Sequence, residues 1–129
     1  MSTLRVLQYN VQKSKNKVVV PVLEGPHEAY DIIALQEPWL NPLMNTTYAP
    51  RSCQYNLIFP QEGRARTCLY INKRIPIAQW QAGQEPDYCW VRINLETGPI
   101  TIHNIYSETP ESHSTTEWNT PILRLLNAT

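Results

Sequence analysis

The chain has 129 residues, 42% of them hydrophobic, which is enough for one domain with a real core and too few for two ordinary ones. Its 11 Lys/Arg balance 11 Asp/Glu, which excludes a generally basic nucleic-acid coat. The balance is uneven, however: residues 1–74 carry nine Lys/Arg against five Asp/Glu (net +4), and residues 75–129 carry two against six (net −4). The basic half holds Lys13, Lys15 and Lys17 close together and the pairs Arg64/Arg66 and Lys73/Arg74, cations able to meet phosphates or to sit in solvated loops.

Residues 4–9 form a short strand-type run that ends at Asn10 and a polar, basic stretch. Ser14 or Asn16 can cap a following helix, whose apolar face is Val18, Val19, Val22 and Leu23. Three consecutive valines and Pro21 limit it to one or two turns, stopped at Gly25-Pro26. Ile32-Ile33-Ala34-Leu35 then reads as a strand buried on both faces, and it stops abruptly at Glu37-Pro38. The residue before a proline is pushed toward extended conformations, so Glu37 is expected extended at the strand's carboxyl edge, where open α/β sheets gather ligands. Strand, helix, strand requires a right-handed crossover and a parallel pair. Asn10 and Glu37 therefore emerge at one edge, with Glu37 the acidic residue expected there.

Prolines and turn residues make 40–54 a loop over that edge. The runs 55–59 and 67–72, separated by Pro60-Gln61-Glu62-Gly63, make an antiparallel hairpin. Residues 75–80 lead into a strand at 88–95, where Cys89, Val91, Ile93 and Leu95 alternate onto the core face. Glu96-Thr97-Gly98-Pro99 is a tight connection to a partner strand at 100–106. Trp118, Ile122, Leu125 and Leu126 recur at helical spacing after the start signal Ser114-Thr115-Thr116-Glu117, with Pro121 either in the first turn or confining the helix to its last turns.

The three cysteines show no C-x-x-C spacing and suggest neither a disulfide framework nor a zinc site. Cys68 and Cys89 lie in apolar strands and read as buried thiols of a protein in a reducing compartment. No apolar stretch approaches the ~20 residues of a membrane span and no signal-peptide core is evident, so the expected location is intracellular, nuclear or cytoplasmic, without a membrane partner.

Four stretches carry a resemblance: Leu7-Gln8-Tyr9-Asn10-Val11, Leu35-Gln36-Glu37-Pro38-Trp39, residues 66–74, and Ile102-His103-Asn104-Ile105-Tyr106-Ser107. In this order they resemble the endonuclease/exonuclease/phosphatase superfamily, most closely the endonuclease domain of fungal non-LTR (LINE-type) retrotransposons. The resemblance implies an α/β (α+β) fold, a four-layer αββα sandwich whose strand ends surround one divalent cation, Mg²⁺ or Mn²⁺. It implies Glu37 as metal ligand, Asn10 beside metal and phosphate, and Tyr106 on the scissile phosphate; Lys13, from the basic cluster, is a further candidate substrate contact. Hard oxygen ligands suit Mg²⁺, and one or two carboxylates plus substrate phosphate suffice to hold it.

The family's later Gly-Asp-x-Asn and Ser-Asp-His motifs have no match here. Residues 1–129 accordingly read as the N-terminal portion of one such domain, partial and lacking its C-terminal half. The expected function is a fragment of a Mg-dependent DNA endonuclease, inactive alone, whose partners are the DNA phosphate backbone, the remainder of the domain and a reverse transcriptase. The alternatives are a non-catalytic nucleic-acid-binding or interaction fragment, and another phosphodiesterase or phosphatase of the superfamily. On this reading the strands at 67–72 and 88–95 pack on a second sheet the chain cannot complete, leaving apolar surface exposed. His103 reads as a hydrogen-bonded strand residue, His27 and His113 as solvent groups, Trp39 and Trp90 as packing residues. Ser107 has no histidine and acid placed to activate it.

Overall fold

Side chains that alternate in and out along each central strand sort the apolar residues onto two faces, and that sorting builds two layers of core. The structure, a computed structural model, describes residues 3–19, 30–49 and 53–107. In chain order these form β1 (Val6–Asn10), α1 (Lys15–Val19), β2 (Ile32–Gln36), β3 (Tyr55–Ile58), β4 (Thr67–Asn72), β5 (Trp80–Glu85), β6 (Tyr88–Leu95) and β7 (Gly98–Ile105). A 3-10 turn at Ile77–Gln79 precedes β5. Among the described residues the architecture is sheet-rich with almost no helix. One sheet has the order β1-β2-β4-β3, the other β5-β6-β7.

The expected pairings are present: β1 and β2 are parallel, with Asn10 opposite Gln36, and β3 runs antiparallel to β4. The structure adds an antiparallel β2–β4 pair, which joins them into one sheet. β6 and β7 form a hairpin closed between Leu95 and Gly98, whose φ of 124° a side chain would resist. Ile32, Ala34, Leu69 and Ile71 face the second sheet and pack with Cys89, Val91 and Ile93. Their neighbours Ile33, Leu35, Cys68 and Tyr70 face the other way, under Leu40, Tyr48, Cys53 and Phe59 from loop 40–54 and its surroundings. The first sheet is thus buried on both faces at β2 and β4, and the continuous apolar run of β2 follows from that.

Several expectations need correction. The sequence predicts a lead-in at 75–80 to the strand at 88–95 and no strand at 81–85, where Gln81, Gly83, Gln84 and Glu85 carry little strand propensity; β5 is an added strand. Pairing with β6 over six residues overrides propensity, and the Trp90 indole approaches Gly83 so closely that a Cβ there would collide with it. All six residues of β4 are buried, and so are Cys89, Val91 and Ile93. The chain supplies both sheets of this seam itself, so the apolar faces expected to be open are closed. β1 reaches Asn10, which is the last strand residue and not the first loop residue. Helix α1 is one short turn whose Ser14 Oγ accepts Lys17 N–H at 3.4 Å. The predicted stop at Gly25-Pro26 and the C-terminal amphipathic piece lie outside the described residues.

Polar groups tie the layers together. Asn104, 2% exposed, donates from Nδ2 to Leu35 O (2.9 Å) and Cys68 O (2.8 Å), so a β7 side chain binds carbonyls of β2 and β4 in the opposite sheet. Its Oδ1 accepts from Gln36 Nε2, and Gln36 in turn accepts from Gln8. Asp31, equally buried, receives Arg74 Nη2 at 2.5 Å and Arg5 N–H at 2.8 Å. Arg74, one of the cations offered to phosphates by the sequence, is therefore an internal counter-ion. Among the described residues no helix is long and apolar enough to cross a membrane.

Candidate functional site

The carboxyl ends of β1 and β2 and the start of β4 meet at one rim of the first sheet. Val11 N–H bonds Gln36 O (3.1 Å), and Lys13 N–H bonds Glu37 O (2.7 Å), so the two chains stay paired past their strands. Glu37 N–H bonds Arg66 O on the other side at 3.0 Å. To satisfy both neighbours the backbone turns left-handed: φ is 50° at Glu37, 52° at Gln12 and 62° at Lys13. Glu37 was expected to be extended because of Pro38; the two flanking hydrogen bonds outweigh that preference. Non-glycine residues in this region each cost about 1–3 kcal/mol and gather where a side chain must be aimed.

The rim encloses a cavity of about 570 Å³. Lys13, Glu37, Arg64, Arg66, Asp87 and Tyr106 supply its polar lining. Three of the four residues singled out from the sequence, Lys13, Glu37 and Tyr106, thus converge from β1, β2 and β7 on one space. Asn10 lies at the same rim, but it is not part of the lining and its Oδ1 accepts Gln12 N–H at 2.9 Å.

Sequence reasoning missed Asp87 and undervalued Arg66. The Arg66 guanidinium grips Asp87 in a fork, Nε to Oδ1 at 2.6 Å and Nη2 to Oδ2 at 3.1 Å. It also lies over the Tyr106 ring, 5.4 Å from the centroid. Tyr106 N–H bonds Asp87 O (2.9 Å) and Arg66 N–H bonds Pro86 O (2.8 Å), so the backbone fixes what the side chains grip. The available signal was Pro86, which ends a strand as Pro38 does and leaves an acid at the same edge. Glu37 is consequently not the sole acid at the rim.

Tyr106 and Glu37 line the cavity together. Burial first, then the Glu37 charge, push the Tyr106 phenol above its ordinary value, against the pull of Arg66. At neutral pH Tyr106 is a protonated donor. Among the described residues no group of three or more His, Cys, Asp or Glu is placed to hold a metal ion. Asp87 is committed to Arg66, which leaves Glu37 as the carboxylate open to a cation. Lys15 is diverted as well: its Nζ sits over the rings of Trp39 (4.9 Å) and Tyr48 (5.2 Å).

His103 is hydrogen-bonded within its sheet, Nδ1 to Tyr88 Oη at 2.7 Å, and is not on the cavity. Cys53, Cys68 and Cys89 are buried free thiols. Burial raises the Cys68 thiol well above its usual range and Cys89 to about 11, so neither is primed as a nucleophile. No protein-family model matches the sequence, and comparison with curated proteins finds no match.

Proposed function

We propose that the rim cavity receives a phosphodiester of DNA and that the chain carries the N-terminal motifs of a metal-dependent endonuclease of the endonuclease/exonuclease/phosphatase type, within a retrotransposon polyprotein that includes a reverse transcriptase. What supports this reading is one observation: Lys13, Glu37 and Tyr106, taken from three separate motifs, line one cavity together with Arg64 and Arg66. Two sheets packed face to face, with the cavity at their shared edge, are compatible with the αββα sandwich.

A hydrated Mg²⁺ or Mn²⁺ needs as little as one carboxylate, with water and phosphate oxygens completing its shell, and Glu37 meets that need. Held there, the ion would stabilise charge on the departing oxygen. The protein's own groups do the rest. Lys13 and Arg64 raise the local concentration of the polyanion. Tyr106, protonated and held beneath Arg66, would offer its hydroxyl to a phosphate oxygen. Asp87 keeps Arg66 in plane and balances its charge, so the phosphate is oriented without being trapped. A positioned general base contributes about 10²- to 10⁴-fold, and the cavity lining among the described residues includes no imidazole. The chain by itself should bind far better than it cleaves.

The test has two arms. In NMR titrations with Mg²⁺ and Mn²⁺, Glu37, Lys13 and Tyr106 should respond first; changes confined to Glu108, Glu111 and Glu117 would reject the assignment. In a supercoiled-plasmid nicking assay, the chain and its Glu37→Ala variant should be equally near background. Metal-dependent nicking that disappears with Glu37→Ala would instead identify a self-sufficient nuclease. The non-catalytic alternative draws on the same cations and predicts duplex binding that weakens steeply with salt and requires no divalent ion.

A further inference from the structure

Residues 41–46 make a tight loop whose backbone is fixed at four points. Asn41 N–H bonds Thr46 O (2.9 Å), Leu43 N–H bonds Asn41 Oδ1 (2.9 Å), Thr46 N–H bonds Met44 O (2.8 Å), and Asn45 Nδ2 bonds Gln61 O (2.8 Å). The tip held out by these bonds is apolar: Leu43 is 91% and Met44 66% exposed. A lone exposed leucine is ordinary. Two successive apolar side chains on a braced tip form a blunt wedge, and its position matters. The hollow beneath the loop, about 350 Å³, is lined by Leu40, Arg64 and Ala65, which also line the rim cavity. Wedge, cation and cavity are therefore continuous.

We propose that the Leu43–Met44 tip is a wedge that enters a groove of duplex DNA and unstacks a base step while the adjoining cavity holds a phosphate of the same duplex. The proposal rests on the phosphodiester reading of that cavity. Leucine and methionine are among the side chains that part base steps in kinked duplexes, where lost stacking is offset by the greater wrapped surface. Arg64, on the seam between hollow and cavity, is placed to meet the backbone that flanks the opened step. An anionic lipid surface fits less well. It would press headgroup phosphates against the Glu37 and Asp87 carboxylates as well as the cations, whereas a nucleic-acid strand delivers phosphates along one line.

The experiment uses short duplexes with 2-aminopurine placed at pyrimidine–purine steps, which deform most readily. It compares the full chain with a Leu43→Ser/Met44→Ser variant. Both sites are exposed, so the variant should melt with the parent; Leu43→Ala alone serves as a second, milder variant. At saturation the parent should brighten the aminopurine. The double variant should lose that signal and bind duplex roughly tenfold more weakly, with an unchanged dependence on salt, and the alanine variant should fall between. Salt-dependent binding equal in parent and variants, without brightening, overturns the wedge and leaves the cavity reading standing. No duplex binding by the parent overturns both. Loss of binding to phosphatidylserine vesicles on substitution, without an aminopurine signal, overturns it in favour of a membrane contact.

Discussion

The seam between the sheets and the rim of the first sheet are built from opposite physics. At the seam, Ile32, Leu69, Ile71, Val91 and Ile93 are shut off from water, and the alternation of each strand decides which face a side chain takes. At the rim, a few residues further along the same strands, the backbone turns left-handed at Gln12, Lys13 and Glu37, and charges crowd around a solvent-filled space. The seam lowers the free energy of the fold, and the rim raises it locally to aim its groups. A protein of this size can carry such a rim only because β2 and β4 are buried on both faces.

That contrast should be visible as a difference in sign. The largest effect belongs to the seam. Leu69→Ala should cost about 2–5 kcal/mol in urea unfolding, because the surrounding side chains cannot close the gap. A loss below ~1 kcal/mol would mean that the two sheets do not pack as described. Next comes the polar staple between them. Asn104→Ala strips Leu35 O and Cys68 O of their donors in a dry environment, and should cost roughly 1–3 kcal/mol. If Asn104→Ala is neutral, water reaches the seam and the contrast weakens. At the rim the sign reverses. Glu37→Gly should stabilise the chain by ~1 kcal/mol through release of the left-handed backbone, while abolishing the response to Mg²⁺. A loss of stability on that substitution would show that the Glu37 side chain contributes more than its backbone conformation costs.

Seam and rim alike were readable in the sequence only in part. Alternation in β6 and the continuous run in β2 are local patterns, so the core face of β6 and the double burial of β2 followed from them, and chain order gave the pairs β1–β2, β3–β4 and β6–β7, but the β2–β4 pair and the closing of the seam by the chain's own second sheet did not follow. Burial of both faces of β4 depended on where loop 40–54 and the second sheet settled, which no local pattern encodes. Strand β5 has weak propensity of its own and exists because β6 pairs with it. Asn10 and Glu37 reached one edge through a topological rule, whereas Glu37's backbone conformation depends on hydrogen bonds from both neighbouring chains. Arg66 precedes a strand of the first sheet and Asp87 lies in the turn between two strands of the second, 21 residues away, and only the packing of those sheets makes them a pair.

The smallest effect tests whether the second sheet's outer side behaves like seam or like rim. His103 stacks on Tyr88, centroids 5.8 Å apart and planes 12° from parallel, with Nδ1 hydrogen-bonded to the phenol oxygen. Partial burial lowers its pKa below the ordinary 6.5, since desolvation penalises the imidazolium. In the unfolded chain the group titrates near its ordinary value, so the unfolded state takes up the proton first as pH falls. Stability should therefore be unaffected by this group above about pH 6.5, decline as pH drops below that value, and level off once the folded histidine is also protonated. The informative quantity is a difference: the parent's stability between pH 7 and pH 5 against that of His103→Gln, which should lose part of the decline. If the two curves are parallel, His103 is as solvated as a rim residue. If the parent declines more steeply, the outer side of the second sheet shares the seam's preference for uncharged groups, and the polarised part of the fold is confined to the edge where Glu37 and Tyr106 meet.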